Sequence, residues 1–255
     1  MKYALIGDVH GTELRDLESA LHYENPDVLI CTGDFDQTRT IHQFIELERN
    51  YERAGKSVIK VPGNHDHAIL NNFDISSGAL RKQGKTSREL HNELMSDNAA
   101  YHYIDGLVNS KDPRCTNNRV KIFLDENRFG KEYKTVIVHG AYDGDLSSFP
   151  DCPSRIRDLW LRLRTPEDHA DNFRAMAEKG YKVMVRGHDH EAVYAYNDPI
   201  KGVVIRKPKE NASSFRLLRH RQHTINPGAL FNGRFAIIDT RFKDEKVPIL
   251  RYHSL

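Results

Sequence analysis

Cysteine is scarce and poorly placed for cross-linking: Cys31, Cys115 and Cys152 are odd in number, far apart and without Cys-x-x-Cys spacing in a chain of 255 residues. That argues against a disulfide framework and a thiolate metal site. Long apolar runs are missing as well. None approaches the roughly 18 residues that a membrane-crossing helix requires, so neither a span nor a membrane partner is expected. Neither charge sign is in excess, since 38 Lys and Arg face 36 Asp and Glu for a net +2, and the chain as a whole carries no electrostatic bias toward nucleic acid. Internal repeats and low-complexity linkers are also absent. The first apolar run, Tyr3 to Ile6, leads straight into Asp8-Val9-His10. That leaves no room for a removable signal peptide and gives the cytoplasm as the expected location.

The composition that remains, 38% hydrophobic and 29% charged, is that of a soluble globular protein, and the length fits one domain spanning 1–255. Short β-branched runs alternate with amphipathic stretches in the N-terminal half, which predicts strands joined by helical crossovers. Val28 to Thr32, Val58 to Val61, Thr135 to Val138 and Lys182 to Arg186 read as strands. Leu14, Leu17 and Leu21 share one helical face. A second helix fits Ile41, Phe44 and Ile45, with Thr40 and Gln43 at capping-box spacing and Gly55 as its stop. A third opens at Thr165-Pro166-Glu167-Asp168 and ends near Gly180. Four C-terminal runs, Ala192 to Tyr196, Gly202 to Arg206, Ser214 to Leu218 and Arg234 to Asp239, read as antiparallel strands of a second sheet. Residues 69–86 and 143–164 are expected to be variable loops.

The informative residues sit where these strands end: Asp8-Val9-His10, Gly33-Asp34, Gly63-Asn64-His65-Asp66, His139-Gly140, Gly187-His188-Asp189-His190 and Asn226-Pro227-Gly228. Each is ordinary alone, because Gly-Asp and Asn-Pro-Gly are common turns and a lone histidine is usually a surface or packing residue. Their joint occurrence in order, each after a strand, argues against coincidence. Hydrolysing a phosphate ester at neutral pH needs a strong nucleophile and positive charge against oxygens that become more negative, and two divalent ions supply both. Such ions call for a mixed ligand set, with carboxylates offsetting and bridging the charge while neutral imidazoles and an amide oxygen complete coordination.

In this order the runs resemble the calcineurin-like metallophosphoesterase family, with its Asp-x-His, Gly-Asp, Gly-Asn-His-Asp/Glu, lone His and Gly-His-x-His blocks. Thr224 to Ala229 is similar to the Asn-Pro-Gly-Ser segment of the small phosphodiesterase branch, with Ala229 in the serine position. The resemblance covers residues 1–66, about 119–142 and about 181–239. It implies an α/β fold, a four-layer α/β/β/α sandwich of two mixed sheets. It further implies that Asp8, His10 and His190 hold one ion, that Asn64, His139 and His188 hold the other, and that Asp34 bridges them. His65 would be catalytic at the leaving group. The implied reaction is attack by metal-bound hydroxide on a phosphodiester or monoester, with manganese named first among metals and Fe, Zn, Co or Ni as alternatives.

Asp36, Asp66 and Asp189 are candidates to orient His65, and spacing alone leaves the choice open. Two basic clusters, Arg155 to Arg164 and Lys201 to Arg221, are read first as solvated faces. Beside the metal loops they would favour polyanionic substrates such as nucleotides, and the second, near Tyr194 and Tyr196, could contact nucleic acid. The remaining alternatives are a serine/threonine protein phosphatase, a nucleotide phosphatase or pyrophosphatase, and a non-catalytic protein-interaction scaffold. Oligomeric state is not legible in the sequence.

Overall fold

Alternation along the first strand sets the layering. The computed structural model describes all residues except 76–77, 111–114, 117–120, 125–132, 143–157, 210–212 and 242–246. Lys2–Ile6 forms β1, buried along its whole length. Tyr3 and Leu5 enter a cluster with Ile30, Ile137, Val185 and Ile238, whereas Ala4 and Ile6 belong to another with Leu17, Leu21 and Phe44. A period-2 strand apolar on both faces needs a packed layer on each side.

The chain continues through α1 (Arg15–Glu24), β2 (Val28–Cys31), α2 (Thr38–Arg53), β3 (Ser57–Lys60), α3 (Asn64–Leu70), α4 (Gly78–Gln83), α5 (Ser87–Ser96), α6 (Asn98–Val108), β4 (Cys115–Thr116) and β5 (Lys121–Leu124). Then follow β6 (Thr135–Val138), α7 (Pro166–Glu178), β7 (Val183–Val185), β8 (Ala192–Asp198), β9 (Gly202–Arg206), β10 (Ser214–Arg216), β11 (His223–Pro227), β12 (Arg234–Asp239) and β13 (Ile249–Ser254).

One sheet runs β10-β13-β12-β1-β2-β3 and the other β4-β5-β6-β7-β11-β8-β9. Within the first, β1, β2 and β3 are parallel; within the second, β6, β7 and β11 are. The sheets share the Tyr3–Leu5–Ile137–Val185 cluster. Leu17 of α1, Phe44 of α2, Leu90 of α5 and Ile104 of α6 cover the outer face of the first, and Phe173 and Met176 of α7 pack on Val136, Val138 and Met184 of the second. The result is the expected α/β/β/α sandwich of two mixed sheets. No helix among the described residues is long and apolar enough to cross a membrane.

Local expectations meet the structure unevenly. At α7 the Thr165 hydroxyl accepts from Asp168 N (3.2 Å) while the Asp168 carboxylate accepts from Thr165 N (2.9 Å), a reciprocal cap. By contrast, α2 starts earlier than expected, at Thr38 with Gln37 as its cap. Thr40 and Gln43 are therefore interior to the helix and tie it to the loop after β1: Gln43 Oε1 accepts from Leu14 N at 3.1 Å, and the Thr40 hydroxyl donates to Thr12 O at 3.3 Å. The C-terminal strands do not form a sheet of their own. β8 and β9 extend the second sheet, whereas β12 pairs antiparallel with β1, Tyr3 opposite Ile238, and β10 joins the first sheet through β13. Within 69–86, Gly78–Gln83 is helical, and most of 143–164 lies outside the described residues.

The core reaches the second motif loop through Phe44, fully buried and edge-on to Phe35 at 4.8 Å between centroids. Phe35 separates Asp34 from Asp36. Phe44→Ala is expected to lower unfolding free energy in a urea titration by about 3–5 kcal/mol; a loss under about 1 kcal/mol would show that this ring does not organise the layer.

Candidate metal centre

The parallel strands of both sheets end at one place, where loops can converge without breaking ladder hydrogen bonds. Asp8 and His10 follow β1, Asp34 follows β2, Asn64 follows β3 and opens α3, His139 follows β6, and His188 and His190 follow β7. Backbone bonds fasten these loops pairwise: His10 N donates to Asp34 O (2.6 Å) and Gly187 N to His139 O (2.9 Å). The segment after β11 is tied to the same loops, with Leu230 N donating to Gly7 O (2.9 Å) and the Asn226 amide to Gly187 O (2.8 Å).

All seven predicted ligand side chains come together, in two overlapping groups. In the first, ligand atoms of Asp8, His10, Asp34 and His190 lie within 4.8 Å of one another. His10 Nε2 is 3.0 Å from His190 Nε2 and 3.5 Å from Asp34 Oδ2. In the second, Asn64 Oδ1 lies 2.8 Å from His139 Nε2 and 2.9 Å from His188 Nδ1, and His139 Nε2 is 3.4 Å from Asp34 Oδ2. One carboxylate oxygen of Asp34 thus faces both groups.

The outward nitrogens of three rings fix their tautomers. His10 Nδ1 donates to Asp36 Oδ2 (2.7 Å), His139 Nδ1 to Thr32 O (2.6 Å) and His188 Nε2 to Trp160 O (3.1 Å). With that nitrogen donating outward, each ring in its neutral form turns a lone pair inward. Likewise, Asp8 Oδ1 accepts from His188 N (2.8 Å) and Asp34 Oδ1 from His65 N (2.9 Å), while Oδ2 of each is buried with no hydrogen-bond partner. Acceptors face acceptors at hydrogen-bonding distance. Buried polar atoms are almost always satisfied, and cations are what this donor set fits.

Backbone strain accompanies this convergence. Three loops hold residues two apart in the left-handed region: Asp8 and His10 (φ 50° and 44°), Asp34 and Asp36 (64° and 61°), His188 and His190 (72° and 60°). Such conformations are uncommon outside glycine and cluster at functional sites. Gly63 meets a different demand, since a Cβ there would lie 1.9 Å from Asp34 Oδ1.

Burial dominates the electrostatics. It pushes the Asp8 carboxyl up to about 6 and that of Asp34 up to about 7, a cost that an adjacent cation offsets. Burial also holds His139 and His188 well below the usual range and His190 at about 3, which keeps them in the neutral form that ligates metal. His65 is different. Burial alone would lower it, but the Asp36 carboxylate, with Asp34 behind, overcomes this and raises it to about 10. Asp36 itself is held well below the usual carboxylate range, because His65 and His10 outweigh its burial.

Asp36 is thus the carboxylate that orients His65, by accepting from its Nδ1 at 2.9 Å while also holding His10. The other two candidates have other tasks. Asp66 accepts from the backbone N–H groups of Gly63 (2.8 Å), Asp34 and Phe35 (2.9 Å each), and Asp189 pairs with Arg186. The Arg186 guanidinium, 1% exposed, also donates to Gly140 O (2.6 Å) and Leu161 O (3.4 Å), beneath His139 and His188. Neither Arg186 nor the Trp160 carbonyl carried a sequence signal. Asp36 did, since Asp-x-Asp repeats the spacing of Asp-x-His and His-x-His.

The profile of the calcineurin-like phosphoesterase family matches residues 1–192, a span that contains all seven positions. The fold is similar to that of a metallophosphoesterase from Sphaerobacter thermophilus (20% identity, TM-score 0.63, covering 100% of this chain and 88% of the other). It is also similar to a hypothetical protein from Pyrococcus horikoshii OT3 (11% identity, TM-score 0.55, 100% and 88%). No curated protein matches the chain by sequence.

Gly63→Ala should displace the Asp34 carboxylate from between the two groups. Manganese bound per chain, measured by elemental analysis after gel filtration, is expected to fall while far-ultraviolet circular dichroism is kept. Undiminished manganese in the variant would contradict the bridging geometry.

Proposed function

Because the chain belongs to the calcineurin-like phosphoesterase family, we propose that it is a two-metal phosphoester hydrolase with phosphodiesters as its preferred substrates. Asp8, His10 and His190 hold one divalent ion, Asn64, His139 and His188 the other, and Asp34 bridges. The observation that carries this reading is Asp34 Oδ2, buried without a donor and 3.5 and 3.4 Å from imidazole nitrogens of the two groups. Manganese is the first choice of metal, with Fe, Zn, Co or Ni suited to the same donors. When bound, the ions would supply positive charge for the phosphate oxygens and acidify water.

The chain's own residues do the rest. Asp36 favours the protonated form of His65 and fixes its ring through Nδ1, which leaves Nε2 to give its proton to the departing oxygen. His65 is 4% exposed and edge-on to His10 at 4.7 Å, inside the site rather than on its rim. The diester preference is supported by the likeness of Asn226-Pro227-Gly228-Ala229 to the Asn-Pro-Gly-Ser segment of the small phosphodiesterase branch, a segment that Asn226 fastens to Gly187 and whose continuation lies against the Asp8 loop.

With manganese, the protein is expected to hydrolyse bis(p-nitrophenyl) phosphate faster than p-nitrophenyl phosphate and to stop on chelation. A preference for the monoester by orders of magnitude would overturn the diesterase assignment, and no turnover of either would overturn the reading as a whole. His65→Ala should lower kcat by about 10²–10⁴ on a diester with an alkoxide leaving group, the range of general-acid assistance, and by less when the leaving group is p-nitrophenolate. Equal losses on both would remove the proton from His65's role.

A further inference from the structure

Solvent reaches the centre beside one ligand. The side chain of His190 is 27% exposed, against 0% for Asp8, His10 and His139 and 1% for Asp34. Phe231 stands at this opening, edge-on to both His10 and His190 at 5.1 Å between centroids. Over its ring sits the Lys82 ammonium of α4, 4.8 Å from the centroid and 3.5 Å from Asn232 Oδ1. The ring carries the cation instead of offering that face to a substrate base.

A second cation approaches from the other loop. Leu161 and Leu163 are buried while Arg162 between them is exposed. Leu163 N reaches Asp189 Oδ2 at 3.4 Å, which fastens this stretch to the Gly187–His190 loop. On the other side of Arg162, Trp160 O accepts from His188 Nε2 at 3.1 Å, so Arg162 lies between two attachments to that same loop. Among the described residues neither Lys82 nor Arg162 has a carboxylate partner, whereas nearby Lys85 pairs with Glu93 and Lys207 with Glu191. Thus two cations without a carboxylate partner among the described residues stand on segments that adjoin the most exposed ligand, His190.

We propose that Lys82 and Arg162 form an anion subsite at the mouth of the centre that selects phosphoesters carrying a second phosphate group beyond the one hydrolysed. The inference rests on the phosphoesterase reading. The metal pair answers the charge of the scissile phosphate, and a diester with a single charge leaves Lys82 and Arg162 nothing to bind. A terminal or neighbouring phosphate gives them a partner, with Phe231 holding Lys82 in place and excluding water from His10.

The test is calorimetric titration of the manganese-loaded full chain with thymidine 5′-monophosphate and with thymidine 3′,5′-bisphosphate. The wild type is expected to bind the bisphosphate about tenfold more tightly. Lys82→Ala and Arg162→Ala should each shrink that ratio about threefold, the scale of an exposed ion pair. The double variant should bring it near unity, and Lys82→Arg should preserve it. A ratio unchanged in the double variant, or equal weakening of both ligands, would overturn the subsite while leaving the phosphoesterase reading in place. Binding of neither ligand to the wild type would overturn both.

Discussion

A carboxylate oxygen sealed in the interior, with imidazole nitrogens of two separate groups near it and no proton donor in reach, is the constraint around which this structure is arranged. The partner oxygen of Asp34 is taken by His65 N, and the corresponding oxygen of Asp8 by His188 N, so each carboxylate is locked with its free oxygen inward. Three imidazoles are locked the same way from behind, through Asp36, Thr32 O and Trp160 O. In a low-dielectric interior such a gathering of acceptors is costly unless a cation completes it. Its cost is visible in the backbone, where six site residues adopt left-handed conformations.

Much of this was legible in the chain because it is local. Strand alternation, the Leu14–Leu17–Leu21 face and the Thr165–Asp168 cap are written within a few residues of one another, and the ligand runs keep fixed spacings at strand ends. What escaped the sequence depends on partners far away. Nothing near Arg234 says that β12 will pair with β1 on one side as well as with its neighbour β13 on the other. Gln43 and Thr40 have cap spacing, but the tight turn at Asp36 and Gln37 starts the helix first and diverts both side chains to Thr12 and Leu14. The choice of Asp36 over Asp66 and Asp189 was likewise three-dimensional, since all three stand within three residues of a ligand.

Rigidity and choice are divided between different parts of the molecule. The proposed metal centre is built on the ends of five strands, which packing on both faces holds still. The groups proposed to meet a substrate first come from elsewhere: Lys82 from a short helix and Arg162 from an irregular stretch ahead of α7. Loops and small helices can vary without disturbing the sheets.

Each proposed cation position draws on both sheets. Asp8, His10 and Asp34 from the first meet His190 from the second, and Asn64 from the first meets His139 and His188 from the second. Occupancy would therefore act as a clasp across the interior seam, adding to the side-chain packing of Tyr3, Leu5, Ile137 and Val185 there. A ligand that binds only the closed arrangement stabilises it in proportion to the logarithm of its concentration, so the supply of ions in the surroundings would set how firmly the two halves of the sandwich stay shut.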